Sequence, residues 1–368
     1  MYFTESGSPQ WESITEELRS AEMPLRRWLA AKLPNTKPCF VEFRKAIRNP
    51  CIEPPRGIPA GTAGAAFDFL LRYRLSDDDP ADLAVVGAVF ADQTQECVSA
   101  LIELAADLLT VARDWKSSTQ HRQTAPPVRL VRGCWVLALF TELLRGVPVE
   151  RSPLAMLGSA PKPGALFALV PEPAIDDLAQ LYAVTSNTLI PFTSRRPGAV
   201  TLAPTFSKLI AGDADLIQGR TLIEVKASVD RRRRDGTPRY SLDSRTLYQV
   251  VTYGILGQEL FRLDEVAIFN ARYSHVYSWD LSELVSQLAG EWTCLDRLSA
   301  DLDLFLRYPC SPEVPAPARE AAHSIRLSGE LAASRRRRER FLTKPARAQT
   351  PRDAIPMYLC ATGTANSL

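Results

Sequence analysis

Histidine is scarce in this chain, with three in 368 residues. None of the three stands in a recognisable nucleophile context, so Ser-His-Asp and Cys-His catalysis have no support. The seven cysteines, Cys39, Cys51, Cys97, Cys134, Cys294, Cys310 and Cys360, are odd in number and scattered, without a C-x-x-C pair. That pattern predicts reduced thiols in a cytoplasmic protein. Long apolar runs are missing as well. The most apolar stretch, 134–140, is far short of the ~20 residues a bilayer requires and runs into Glu142 and Arg145. The opening MYFTESGSPQWESITEEL carries acids where an export signal needs a basic flank and an apolar run, which speaks against secretion. No G-x-x-x-x-G-K-[ST] loop occurs, so the chain supplies no ATP motor of its own. Nor does one sign of charge prevail. The 44 basic and 42 acidic side chains leave a formal charge of +2, and any attraction to phosphate must come from local clusters.

What is present is a globular composition, 46% hydrophobic, in a chain long enough for one large or two medium domains. The pattern from 10 to 32 is helical. Pro34, Pro38, Pro54, Pro55 and Pro59 predict an irregular connector after it, so residues 1–60 read as an N-terminal helix and connector. A helix begins near Gly61, with Phe67, Leu70, Leu71, Arg74 and Leu75 at the i, i+3, i+4 spacing of one buried face and Asp68 beside that face. Phe67, Phe69 and Tyr73 read as core. Helical patterns follow at 84–115, 128–145 and 174–184, with a Pro- and Gly-rich stretch at 147–173, so 61–190 reads as mainly helical. After Pro197 the runs AVTLAPTF, KLIAGDADLI and TLIEVKAS are short, aliphatic and β-branched. A helix at 244–257, a strand pair at 265–280 and a helix at 281–306 complete a unit over 191–308. The remainder, 309–368, is rich in Pro, Ala and Arg and predicts a flexible basic tail.

Chemistry concentrates in the run Gly212 to Lys226. A two-residue turn at Gly219-Arg220 would set Gln218 against Thr221, Ile217 against Leu222, Leu216 against Ile223 and Asp215 against Glu224. Side chains alternate along a strand, so Glu224 and Lys226 share one face while Ile223 and Val225 point to the other, into the core. Like charges facing each other across a ladder are destabilising, and a cation between Asp215 and Glu224 would relieve them. Mg2+ prefers such hard oxygen donors, and the backbone carbonyl of Val225 would add one more. Lys226, a compact ammonium on a flexible stem, suits orienting or deprotonating an attacking water and offsetting charge on a phosphate.

The order D-x(8)-E-x-K across two adjacent strands resembles the catalytic signature of the PD-(D/E)xK nuclease superfamily. Gln249-Val250-Val251-Thr252-Tyr253 on the next helix is similar to the Q-x-x-x-Y motif of its RecB and lambda-exonuclease-like branch. At i and i+4 these two side chains share one helix face. The likeness covers about 61–75 and 204–281 and extends to a bacterial group with a GTAFDYLLR-like helix and a GADADLI…TLIDIK-like hairpin. The resemblance implies an α/β (α+β) fold: a restriction-endonuclease-like core with a small mixed sheet flanked by helices, plus a largely helical N-terminal region. It implies a Mg2+- or Mn2+-dependent nuclease acting on DNA, with Asp215, Glu224, Lys226, Gln249 and Tyr253 in the site. RecB-like members carry a metal-ligating His four residues after a Gly in an earlier helix. Here Gly64 is followed by Asp68, so Asp68 is a further candidate ligand beside Asp215, Glu224 and Val225. Some members bind an iron–sulfur cluster through clustered cysteines. Cys294, Cys310 and Cys360 are too dispersed to match, and no cluster is expected.

Other charges admit a plainer reading beside the functional one. Asp213, on the same face as Asp215, reads as a second ligand or a turn cap. Arg231, Arg232, Arg233 and Arg234 directly follow the active strand and read either as a clamp on a nucleic-acid backbone or as a solvated loop. The same choice applies to Arg335–Arg338, a binding or solubilising tail. Arg195 and Arg196 precede the sheet without a geometric reason to be assigned. His275 falls at a turn and reads as surface. Two other function classes remain beside the nuclease: a nuclease-fold module that binds nucleic acid or assembles but does not cut, and a helical protein–protein adaptor.

Overall fold

The computed structural model describes residues 2, 3, 9–118, 125–227, 229, 231, 232, 234, 236, 238, 239 and 242–309. Helices come first along the chain: α1 (Ile14–Glu17), α2 (Pro24–Lys32), α3 (Lys37–Ala46), α4 (Ala60–Leu75), α5 (Asp82–Phe90), α6 (Gln95–Ser118), α7 (Val128–Leu144), α8 (Pro163–Phe167), α9 (Glu172–Asn187) and α10 (Leu189–Ser194). Strands β1 (Val200–Leu202), β2 (Leu216–Gln218) and β3 (Thr221–Lys226) follow. Then come α11 (Ser244–Leu256), α12 (Gln258–Phe261), β4 (Glu265–Asn270), β5 (His275–Asp280), α13 (Leu281–Ala289) and α14 (Leu295–Arg307). Two-residue ribbons pair Tyr2–Phe3 with Pro9–Gln10 and Arg231–Arg232 with Pro238–Arg239.

The five strands lie in the order β1-β2-β3-β4-β5. All neighbours are antiparallel except β3 and β4, which run parallel and are joined through α11 and α12. A parallel pair at the centre of a sheet is normally covered on both faces, and this one is. Along β3 and β4, alternate residues divide between two cores. Ile223, Ala267 and Phe269 join α4–α10 in one apolar cluster, while Leu222, Val266 and Ile268 join α1–α3, α11, α13 and α14 in the other. The result is a mixed α/β architecture, a five-stranded mixed sheet between two helical layers.

The β2–β3 hairpin has the expected register: Gln218 opposite Thr221, Ile217 opposite Leu222 and Leu216 opposite Ile223. Gly219 takes φ +58 and Arg220 is not in the left-handed region, the signature of a turn that needs glycine at its first central position. A Cβ on Gly219 would stand 2.0 Å from the carbonyl oxygen of Pro197, so space as well as conformation demands glycine there.

Several elements differ from the sequence expectation. The stretch expected as an irregular connector contains α3, because Pro38 sits in its first turn, where proline is tolerated, and does not break it. Phe43 of α3 is fully buried, with ring centroids 5.5 Å from Tyr277 and 6.0 Å from Trp279 of β5. The expected helix over 10–32 is two helices, the second opened by Pro24 at its first position. The helical run 84–115 divides at Asp92 (φ +49) and the run 281–306 at Gly290 (φ +80), both left-handed residues that a helix cannot pass through. His275 is half-buried where an open surface position was expected; its ring packs edge-on against Phe43 at 5.9 Å, and burial lowers its imidazole to about 4. The basic tail lies outside the described residues after Pro309, and so do Arg233 and Arg335–Arg338. Among the described residues no helix is long and apolar enough to cross a membrane.

Candidate active site

Strand β3 loses its cover at its carboxyl end. Thr221 to Glu224 are buried, and Val225 and Lys226 are only part-buried. The carboxyl end of a central parallel strand is where open α/β sheets place their ligand crevices. Three groups of the hairpin and two of α11 meet there.

Glu224 is 3% exposed, on the same face as Leu222, which is the face covered by α11. Its Oε1 accepts a hydrogen bond from Lys226 Nζ at 2.7 Å, and its Oε2 is buried with no partner. Lys226 Nζ also reaches Gln249 Oε1 at 3.5 Å, and Gln249 Nε2 donates to Tyr253 Oη at 3.2 Å. A polar chain therefore runs Glu224–Lys226–Gln249–Tyr253 from strand to helix. Helix α11 is held in place by Asp243, whose carboxylate caps it by accepting from the Thr246 N–H at 2.8 Å. Tyr253 is 1% exposed and its phenol is pushed well up by burial, with Glu224 adding to the effect, so the hydroxyl stays protonated.

Asp215 departs from the expected pairing. The β2–β3 ladder ends at Leu216 and Ile223, and the Asp215 carboxylate accepts the backbone N–H of Val225 at 2.5 Å. On its other side Ala203 N donates to the Asp215 carbonyl, which extends the β1–β2 pairing by one residue before the chain turns at Ala203 (φ +44). In a strand the N–H and C=O of one residue point the same way, so the Val225 carbonyl also faces the Asp215 side. Asp215 keeps part of its surface accessible, yet burial is the leading cause that raises its carboxyl well above the usual aspartate range. Glu224 and Asp68 push in the same direction, and Lys226 and the Val225 N–H oppose them.

Asp68 of α4 also comes to this place. It interacts electrostatically with Asp213 and Asp215, and its carboxyl is raised, first by burial, against the opposing effect of Arg72. Its Oδ2 is engaged by Arg72 Nη2 at 2.7 Å. Asp213 is exposed at the rim. Its loop is pinned from the other side, where Ile14 N donates to the Ala211 carbonyl at 2.7 Å. A Cβ on Gly212 would stand 2.7 Å from Ile14 Cδ1 and 3.1 Å from Tyr253 Cε1. The N-terminal segment is thus part of the wall behind the site.

The sequence-expected residues Asp215, Glu224, Lys226, Gln249 and Tyr253 are brought together, with Asp68 and Asp213 beside them. Arg72 was not anticipated. An acid and a base at i and i+4, Asp68 and Arg72, were the available signal. Of the arginines after β3, Arg231 and Arg232 lie in the short ribbon and Arg234 is exposed, while Arg233 lies outside the described residues. Arg196 is at the opposite end of the sheet, paired in two contacts of 2.7 and 2.6 Å with Glu265 at the start of β4.

The donor set can be tested for a divalent ion. Among the described residues no three His, Cys, Asp or Glu side chains form a ready metal group. Two carboxylates, one with a buried unpartnered oxygen, and a backbone carbonyl nevertheless suit an ion that takes one or two carboxylates and completes its shell with water and phosphate. No protein-family model matches the chain, and neither a curated protein nor a solved structure is similar to it.

Proposed function

We propose that this chain is a metal-dependent nuclease of the PD-(D/E)xK kind, with a restriction-endonuclease-like core, hydrolysing phosphodiester bonds in DNA. One observation carries the reading: Glu224 Oε2 is buried without a partner beside Asp215, while the other oxygen of Glu224 holds Lys226. An unpaired, desolvated carboxylate oxygen is expensive unless a cation takes it. Asp215 and Glu224 would hold Mg2+ or Mn2+, with the Val225 carbonyl as a third protein donor. The ion would supply Lewis-acid polarisation of the phosphate and a lowered pKa for the attacking water. Lys226, an ammonium fixed in place by Glu224 and Gln249, would orient that water and hand its own proton to the leaving oxygen, taking the water's proton in exchange. Gln249 and Tyr253 keep the lysine on the open side of the sheet. A cytoplasmic setting belongs to the same reading.

Incubation of the full chain with linear, circular and single-stranded DNA in Mn2+ tests the activity, and calorimetric Mn2+ titration of wild type and Glu224→Ala tests the site. Cutting by the wild type, with heat of Mn2+ binding lost in Glu224→Ala, is the expected result. A second reading, a nuclease-fold module that binds nucleic acid without cutting, is favoured by the absence, among the described residues, of three His, Cys, Asp or Glu side chains grouped to hold a metal ion. It predicts no metal affinity that depends on Glu224.

A further inference from the structure

Helix α4 brings a second charge group to the hairpin. Arg72, one turn beyond Asp68, has a side chain only 10% exposed, with Nη2 on Asp68 and Nε buried without a partner. Asp215 and Asp213 also act on its charge, so the guanidinium lies within electrostatic range of the carboxylates of the site. A guanidinium has five N–H donors in a rigid fork and no acceptor capacity. To leave a buried charged donor unmet is costly, and the nearby aspartates attract this one without bonding its Nε. A phosphate group, with several charged oxygens at the spacing of that fork, is the acceptor such a side chain fits. Asp68, for its part, has Oδ2 committed to Arg72 and, unlike Glu224, has no buried oxygen left without a partner to call for a divalent ion.

Resting on the nuclease reading, we propose that Arg72 is the residue that contacts a non-bridging oxygen of the substrate phosphodiester, and that Asp68 is a positioning residue for Arg72 and not a metal ligand. The contact reads the nucleic-acid backbone and carries no base preference, as contacts to phosphate do.

Asp68→Asn, Arg72→Lys and Arg72→Gln, each checked for folding by circular dichroism, are compared with wild type by Mn2+ calorimetry and by steady-state cleavage of a duplex oligonucleotide. Asp68→Asn should keep its Mn2+ Kd within about twofold, while its KM for DNA rises, since the amide holds Arg72 less firmly than the carboxylate. Arg72→Lys retains charge but loses the fork, and Arg72→Gln loses both. With a charged hydrogen bond at stake, kcat/KM should fall by about 10- to 100-fold in the lysine variant and further in the glutamine variant. The proposal is overturned if Asp68→Asn loses Mn2+ affinity as Glu224→Ala does, or if the arginine variants cut with wild-type kcat and KM. Should Arg72→Gln fail to fold, Arg72→Lys and Asp68→Asn still decide it. Failure of the nuclease reading itself would show in the wild-type arm, as no cutting and no Mn2+ heat, and would remove this proposal with it.

Discussion

The Asp215 carboxylate accepts the backbone N–H of Val225 at 2.5 Å, replacing the next rung of the β2–β3 ladder. One side chain thereby closes the hairpin and aims a carboxylate past its end. Asp215→Ala should lose Mn2+ binding and also about 1–3 kcal/mol of stability, because the Val225 amide is left without its acceptor. Asp215→Asn keeps an acceptor oxygen and should lose metal binding with little loss of stability. Paired urea melts and calorimetry separate the two effects.

Lys226 donates to Glu224 at 2.7 Å and reaches Gln249 at 3.5 Å. Lys226→Met should lower kcat by about 10²–10⁴-fold, the range for loss of a positioned proton-transfer group. Its Mn2+ affinity should not fall, since a cation competing for Glu224 has been removed. A variant cutting at the wild-type rate would end the mechanism.

Arg272 is 1% exposed and binds both oxygens of Asp177, at 2.5 and 2.8 Å, while its Nε donates to the Ala227 carbonyl at 2.8 Å. This buried pair ties α9 to the residue that follows Lys226. Breaking it with Arg272→Met or Asp177→Leu should each cost about 3–5 kcal/mol by stranding a buried charge. The double variant should cost clearly less than the sum, which thermal or chemical denaturation of the full cycle would reveal.

The His275 imidazole is lowered by burial to about 4, and its Nε2 is buried without a partner. Between that value and the ordinary ~6.5 the unfolded chain binds the proton and the folded one does not. This group's contribution to stability is therefore full above about pH 6.5 and is lost as pH falls toward 4. At about 1.4 kcal/mol per tenfold change in proton affinity, the loss is at most about 3.5 kcal/mol. His275→Phe should flatten the acid limb of a stability-against-pH curve measured by urea melts; an unchanged limb would show that the ring is not buried in solution.

Much of the hairpin was legible because its determinants are local. The glycine at 219, the period of two in Leu222 to Val225 and the spacing of Asp215, Glu224 and Lys226 all act within a dozen residues. So do the i, i+4 placement of Gln249 and Tyr253 and the apolar stripe of α4. Helix α3 was misread because Pro38 signals either a break or a first turn, and only the burial of Phe43 under β5 decides between them.

By itself the sequence determined the strand periods, the tight turn and the presence of two carboxylates and an amine on one ribbon, since backbone sterics and side-chain alternation need no distant partner. Tertiary structure alone decided the rest. It covered both faces of β3, left only its carboxyl end open, and brought Asp68 and Arg72 from about 150 residues away in sequence to that opening. The reason is that burial and electrostatic proximity depend on contacts between segments whose separation no local pattern encodes.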